Sequence, residues 1–154
     1  MQRFEFRLER VLKLKKQREW LAELHQKQAR VALEAARAEV AAIEEQVARS
    51  AAALAAGLAG AADDPSWLAR HQQAVRLGPI LELAEAKARE AEVHYQKASA
   101  ARTQIAGEVE ALLHLRGQEW QEHRQALLRA QQEQLDEVGM RLWRAGQDGS
   151  RTAS

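Results

Sequence analysis

The chain has no cysteine, which excludes disulfides, thiolate metal sites and cysteine nucleophiles and is neutral as to compartment. It has only two prolines, Pro65 and Pro79, so there are few obligatory breaks in a helical pattern. Its eight glycines form no G-x-x-x-x-G-K-[ST] run, which removes the phosphate-binding loop of the common nucleotide hydrolases. Aromatic residues are 5% of the chain, too few for a thick core. No apolar run approaches the roughly 18 residues that a membrane span needs. The alanine-rich stretch 51–62 is the nearest candidate, and it is too short. No apolar segment of the signal-peptide kind is visible at the amino terminus, and the expectation is a cytoplasmic protein. The formal net charge of +1 argues against a general nucleic-acid binder.

What fills these gaps is alanine, glutamate, glutamine, arginine and leucine, all strong helix formers. In 154 residues that composition points to long helices or coiled coil rather than a globule. Much of the 46% hydrophobic fraction is alanine. Ordering a residue costs on the order of 1 to 2 kcal/mol, while burial returns roughly 25 cal/mol per Å² of apolar surface. A seam of small residues returns least, so a marginally stable, flexible rod is expected.

The pattern divides the chain into a single antiparallel coiled-coil domain over 1–145 and a disordered polar tail over 146–154. A first helix is predicted from about 4 to about 59. Leu14, Leu21, Leu24, Val31, Ala35, Ala38 and Ala42 are separated by three, four or seven residues, the spacing of a coiled-coil seam. Leu33, Val40, Val47 and Leu54 recur every seven residues in a second row, with Ala36 and Ile43 between them. The two rows are out of register, so a stutter or a broadened apolar face is expected near 31–43. Gly57, Gly60 and Asp63-Asp64-Pro65 end this helix, with Asp64 placed to cap a short helix over about 65–76. Gly78-Pro79 is expected to break the path before a second long helix over about 79–144. That helix carries the cleaner seam: Leu81, Ala84, Ala88, Ala91, Tyr95, Ala98, Ile105, Val109 and Leu112. Arg102 occupies one slot, where a long side chain can snorkel outward. The row then shifts to Leu113, Trp120 and Leu127, and again to Leu128, Leu135 and Leu142. Long helices joined by a short connection must run antiparallel, which would bring the last leucines near the amino terminus.

The opening run Phe4-Glu5-Phe6-Arg7-Leu8-Glu9-Arg10-Val11-Leu12-Lys13-Leu14 admits two readings. Its aromatics could lock the open end of a helical hairpin while the cations form a solvated face. Alternatively, this end docks on a partner that is acidic or concave. Residues 1–30 hold nine Lys/Arg against four Glu, so the basic character belongs to one end. The run F-x-F-R-L-E-R-V-L-x-L-K-x-x-R-E resembles the start of the flagellar export protein FliJ family, and the helical layout extends the likeness over most of the chain. The resemblance implies an antiparallel two-helix coiled coil like that of the rotary ATPase gamma subunit. It implies a central stalk of the type III export ATPase, binding the hexameric ring, the export gate membrane protein and export chaperones. Such a protein would be cytoplasmic and peripheral at the inner face of the inner membrane at the flagellar base, monomeric alone, and not an enzyme. Alternatives are the equivalent stalk of a virulence injectisome, a helical chaperone or adaptor with no rotor role, and an autonomous dimerising coiled coil.

Under the stalk reading the ring-binding set is Arg3, Phe4, Phe6, Arg7, Leu8, Arg10, Val11, Leu12 and Lys13. Leu135, Val138, Leu142, Trp143 and Arg144 join it by antiparallel geometry, giving one basic, aromatic tip. At the opposite end Trp67 and Leu68 are candidates for a gate or chaperone contact, with simple capping of the apolar helix ends as the structural alternative. No catalytic constellation, cofactor site or metal site is expected. The pairs Glu110/His114 and Glu119/His123 have helical metal-ligand spacing, but in a chain this rich in glutamate such pairs arise by chance. Glu44-Glu45 lies on a solvated face without a pocket to shift its acidity.

Overall fold

The computed structural model describes residues 3–58 and 65–151. The protein is all-α, a helical hairpin of α1 (Glu9–Leu58) and α2 (Pro65–Arg151). Residues 3–8 lead into α1 in a non-helical path. The turn closes where the Glu9 amide donates to the Phe6 carbonyl at 3.1 Å and the Leu12 amide to the Leu8 carbonyl at 2.9 Å. Glu9 in the first turn complements the positive end of the helix dipole. The helix therefore starts at Glu9, five residues later than the pattern suggests, because Phe4 and Phe6 alternate like an extended segment and Phe6 is buried.

α2 begins with Pro65 at the first helical position, where a missing N–H is harmless. The expected cap Asp64, with Gly60 and Asp63, lies outside the described residues. The short helix at 65–76 is no separate element. It is the opening of α2, which runs through Gly78 and Pro79 without interruption. An internal proline costs a helix about 3 kcal/mol, yet Leu77 before it and Ala84 after it are both buried, with Leu81 half-buried between them. Seam packing on both sides of Pro79 thus holds the helix together. The helix also continues to Arg151, so 146–151 is helical rather than a disordered tail, and 152–154 lies outside the described residues.

The chain divides into two compact units, Gln17–Ala106 and Met1–Lys16 with Gly107–Ser154. In the first, the α1 seam is Ala22, Leu33 and Ile43, buried, with Ala29, Ala36, Val40, Val47 and Leu54 half-buried. Leu77 and Ala84 are buried opposite, among half-buried Ala88, Ala91, Tyr95, Ala98 and Ile105. The two sides are stitched by Arg102 Nη1 donating to Gln26 Oε1 at 2.9 Å, by Arg37 Nη2 to Glu92 Oε2 at 2.5 Å and by Lys87 Nζ near Glu39 Oε1 at 3.9 Å. Partner numbers fall as α1 numbers rise, so the helices are antiparallel. Arg102 does extend from the seam, but onto Gln26 rather than into solvent alone.

The second heptad row of α1 and the α2 seam are therefore the hairpin interface. The first row is not. Leu14, Leu21, Leu24 and Val31 are 48%, 46%, 38% and 62% exposed, and Ala35, Ala38 and Ala42 are exposed with them. A helix can present two rows with coiled-coil spacing, and one α2 can cover only one of them. There is accordingly no need for a stutter near 31–43.

Candidate functional site

In the unit formed by the two chain termini, Leu12 is 1% exposed, the most completely buried side chain of the described residues, with Phe6 and Val109 close behind. Lys15 pairs with Glu108, and Arg116 Nε lies 3.7 Å from Glu9 Oε2. Phe4 reaches back onto α2, its ring centroid 5.6 Å from that of His123 at a 45° tilt. These contacts pin the extended segment against α2. Between the segment, α1 and α2 lies an open cleft of about 600 Å³, lined by Arg3, Phe4, Glu5, Phe6, Arg7, Glu9, Arg10, Lys13 and Arg116.

The charge balance of this cleft is its chief property. Arg116 shares Glu9, whereas Arg3, Arg7, Arg10 and Lys13 have no carboxylate within ion-pairing distance among the described residues. Four cations outside ion pairs, against the single carboxylate of Glu5 in the same lining, surround a half-buried aromatic ring and form a surface suited to an acidic protein face. Next to it, Phe4, Leu113, Arg116, Gly117 and Trp120 enclose a shallower groove of about 410 Å³, and Arg124 sits 5.5 Å above the Trp120 ring. Leu113, Gly117 and Trp120 were not among the predicted contact residues. Their signal is present in the sequence as the row Leu113, Trp120, Leu127, but that row reads as core. All three of its members are exposed.

The predicted ring-binding set separates into parts. Arg3, Arg7, Arg10, Lys13 and the 41%-exposed Val11 are at the surface, and Phe4 and Leu8 are half-buried. Phe6 and Leu12 are core residues with little surface to offer a partner. Leu135, Val138, Leu142, Trp143 and Arg144 do not join the cleft. Phe4 meets α2 at His123, and at 1.5 Å per residue Trp143 lies about 30 Å further along the helix. Every described side chain from Arg124 to Gln147 is exposed. The single basic, aromatic tip is thus replaced by a basic cleft and a separate exposed helical stretch, because the segment before α1 meets α2 at Phe4 and His123 and the described side chains of α2 beyond that point are exposed.

Trp67 is half-buried, stacked on His71 with ring centroids 5.2 Å apart and planes at 4°, while Leu68 beside it is 55% exposed. Trp67 Cδ1 lies 3.5 Å from where a Cβ on Gly57 would stand, so it packs across the end of α1. Its indole nitrogen is buried without a hydrogen-bond partner. Among the described residues no three His, Asp or Glu side chains gather as metal ligands. His114 contacts Gln118, and His123 contacts Phe4. No helix among the described residues is long and apolar enough to cross a membrane.

No family model, curated protein or solved structure matches the chain.

Proposed function

We propose that the protein is a non-enzymatic central stalk of the flagellar type III export apparatus, acting in the cytoplasm at the inner face of the membrane. It engages a hexameric export ATPase through the cleft of Arg3, Arg7, Arg10 and Lys13 around Phe4, promotes ring activity, and links the ring to the export gate and to export chaperones. The observation that carries this reading is the group of four cations without carboxylate partners, found within the same residues that resemble the FliJ family. A helix pair with different side chains around its circumference touches each subunit of a ring differently. Those unequal contacts can bias nucleotide states one subunit at a time, through differential affinity rather than chemistry.

The cognate ATPase should be stimulated by the full chain, with saturation near one stalk per six subunits. Arg7→Glu/Arg10→Glu should abolish stimulation with helicity unchanged. Normal stimulation by that variant would remove the cleft from the ring contact. A second reading, a helical chaperone or adaptor without a rotor role, draws support from the exposed Leu128, Leu135, Val138 and Leu142. It predicts no ATPase stimulation and loss of chaperone binding on Leu135→Ser/Leu142→Ser.

A further inference from the structure

The row Leu21, Leu24, Val31, Ala35, Ala38, Ala42 has coiled-coil spacing, yet the hairpin leaves it uncovered. At about 100° per residue it sits roughly 150° around α1 from the seam that α2 occupies. Leu21, Leu24 and Val31 are each more than a third exposed, and Trp20 beside them is 64% exposed. A face with steps of three, four and, across Gln28, seven residues from 21 to 42 is shaped for another helix.

We infer that this face of α1 binds the same face of a second copy of the chain, antiparallel, about a two-fold axis near residues 29 and 30. The carrying observation is complementarity in both size and charge. In that register Leu21 packs against Ala38 of the second copy, Leu24 against Ala35, and Gln28 against Val31, so the leucine half of each row meets the alanine half of the other. Trp20 lies over Ala41. On one flank Lys27 faces Glu34, and on the other Arg18 faces Glu39; two-fold symmetry repeats each pair. Four opposite-charge pairs therefore border one apolar row.

Other arrangements of the same row lose this match. Sliding the antiparallel pair by one heptad in one direction sets Lys27 against its own copy, and in the other direction sets Glu34 against Glu34. A parallel pair places Glu34 opposite Glu39 on both flanks. Like-charge contacts disfavour each of these, so the charges select the register. Within the chain Lys27 is 3.4 Å from Glu23, Glu34 is 3.5 Å from Arg30 and Glu39 is 3.9 Å from Lys87. These are exposed pairs of small net strength, which leaves their charges able to bridge to a neighbour. Arg18 has no ion-pair partner among the described residues. The row shares no residue with the basic cleft, so the inference does not rest on the proposed export function, and a dimer departs from the monomeric state that the resemblance implies.

Sedimentation equilibrium of the full chain, from low micromolar to several hundred micromolar, should show a monomer–dimer equilibrium. Lys27→Glu alone and Glu34→Lys alone each place two like-charge contacts in the dimer, and each should weaken self-association about tenfold or more. Mixed in equal amounts, the two variants should recover a dimer containing one copy of each, since all facing charges are then opposite. Val31→Asp, on the outer face of α1, should abolish association while circular dichroism stays that of the parent. A chain that remains monomeric throughout the range overturns the inference, as does undiminished dimerisation of Val31→Asp. A dimer in which the mixed variants show no preference for each other overturns the antiparallel register. Because the readout is self-association, it is independent of any ATPase measurement.

Discussion

At the scale of single residues, burial separates side chains that the sequence makes look equivalent. Leu12 and Leu14 both belong to the opening basic-apolar run, yet Leu12 is 1% exposed and Leu14 is 48% exposed. Leu12→Ala should lower stability by about 2–5 kcal/mol, read as a fall in the urea midpoint at constant slope. Leu142→Ala, at a position 70% exposed, should change it by less than about 0.5 kcal/mol. Equal effects of the two substitutions would contradict the arrangement of the terminal unit. The alternation of Phe4, Phe6 and Leu8 does show in the sequence, but which of these aromatics is core depends on where α2 runs. Phe6 turns under the segment while Phe4 leans on His123.

At the scale of elements, Pro79 is the clearest conflict between local preference and packing. Gly78 and Pro79 together form a strong stop signal, and the helix passes through both. Pro79→Ala restores an amide to α2 and removes the clash with the preceding turn, so it should stabilise the protein by about 1–2 kcal/mol in thermal or urea unfolding. An unchanged or lowered midpoint would mean that the local bend at Pro79 is itself required by the seam. Gly78 is exposed, and beyond its chain neighbours and its own helix backbone a Cβ there would meet nothing within 4 Å, so once Pro79 is alanine, and no ring crowds the preceding Cβ, Gly78→Ala should add about 1 kcal/mol more. The heptad rows show the same limit of local reading. Leu33, Val40, Val47 and Leu54 are buried or half-buried in the seam with α2, whereas Leu14, Leu21, Leu24 and Val31 have equally good spacing and stay more than a third exposed.

At the scale of the whole molecule, stability rests on a small set of buried groups. Only eight described residues are buried, and two of them are alanines. The melting temperature of the isolated protein should therefore stay below about 80 °C, with a broad transition. A sharp, cooperative melt above that temperature would show that the seams contribute more than their area suggests. Removal of residues 124–154 should cost helical signal in proportion to length and leave the midpoint nearly unchanged, because every described side chain from 124 to 147 is exposed. Binding at the basic cleft should weaken steeply as salt is raised, since its cations are at the surface and screening acts within about 10 Å at 0.1 M ionic strength.

That this protein is all-helical, that its helices pair by heptads with small residues, and that its first thirty residues are basic can all be read along the chain. Those properties follow from propensity, periodicity and composition, which act over one to a few turns. Helix pairing selects which of two competing rows on α1 becomes the seam, keeps Pro79 inside a continuous helix, and leaves the carboxy-terminal leucines apart from the amino-terminal cations. Each of these depends on the pairing of residues distant in sequence. Ion pairs such as Arg37 with Glu92 accompany that pairing, and burial of Leu33, Ile43, Leu77 and Ala84 carries it. The chain marks several apolar faces with the spacing of a helix contact, and the count of helices available to meet them decides which are filled.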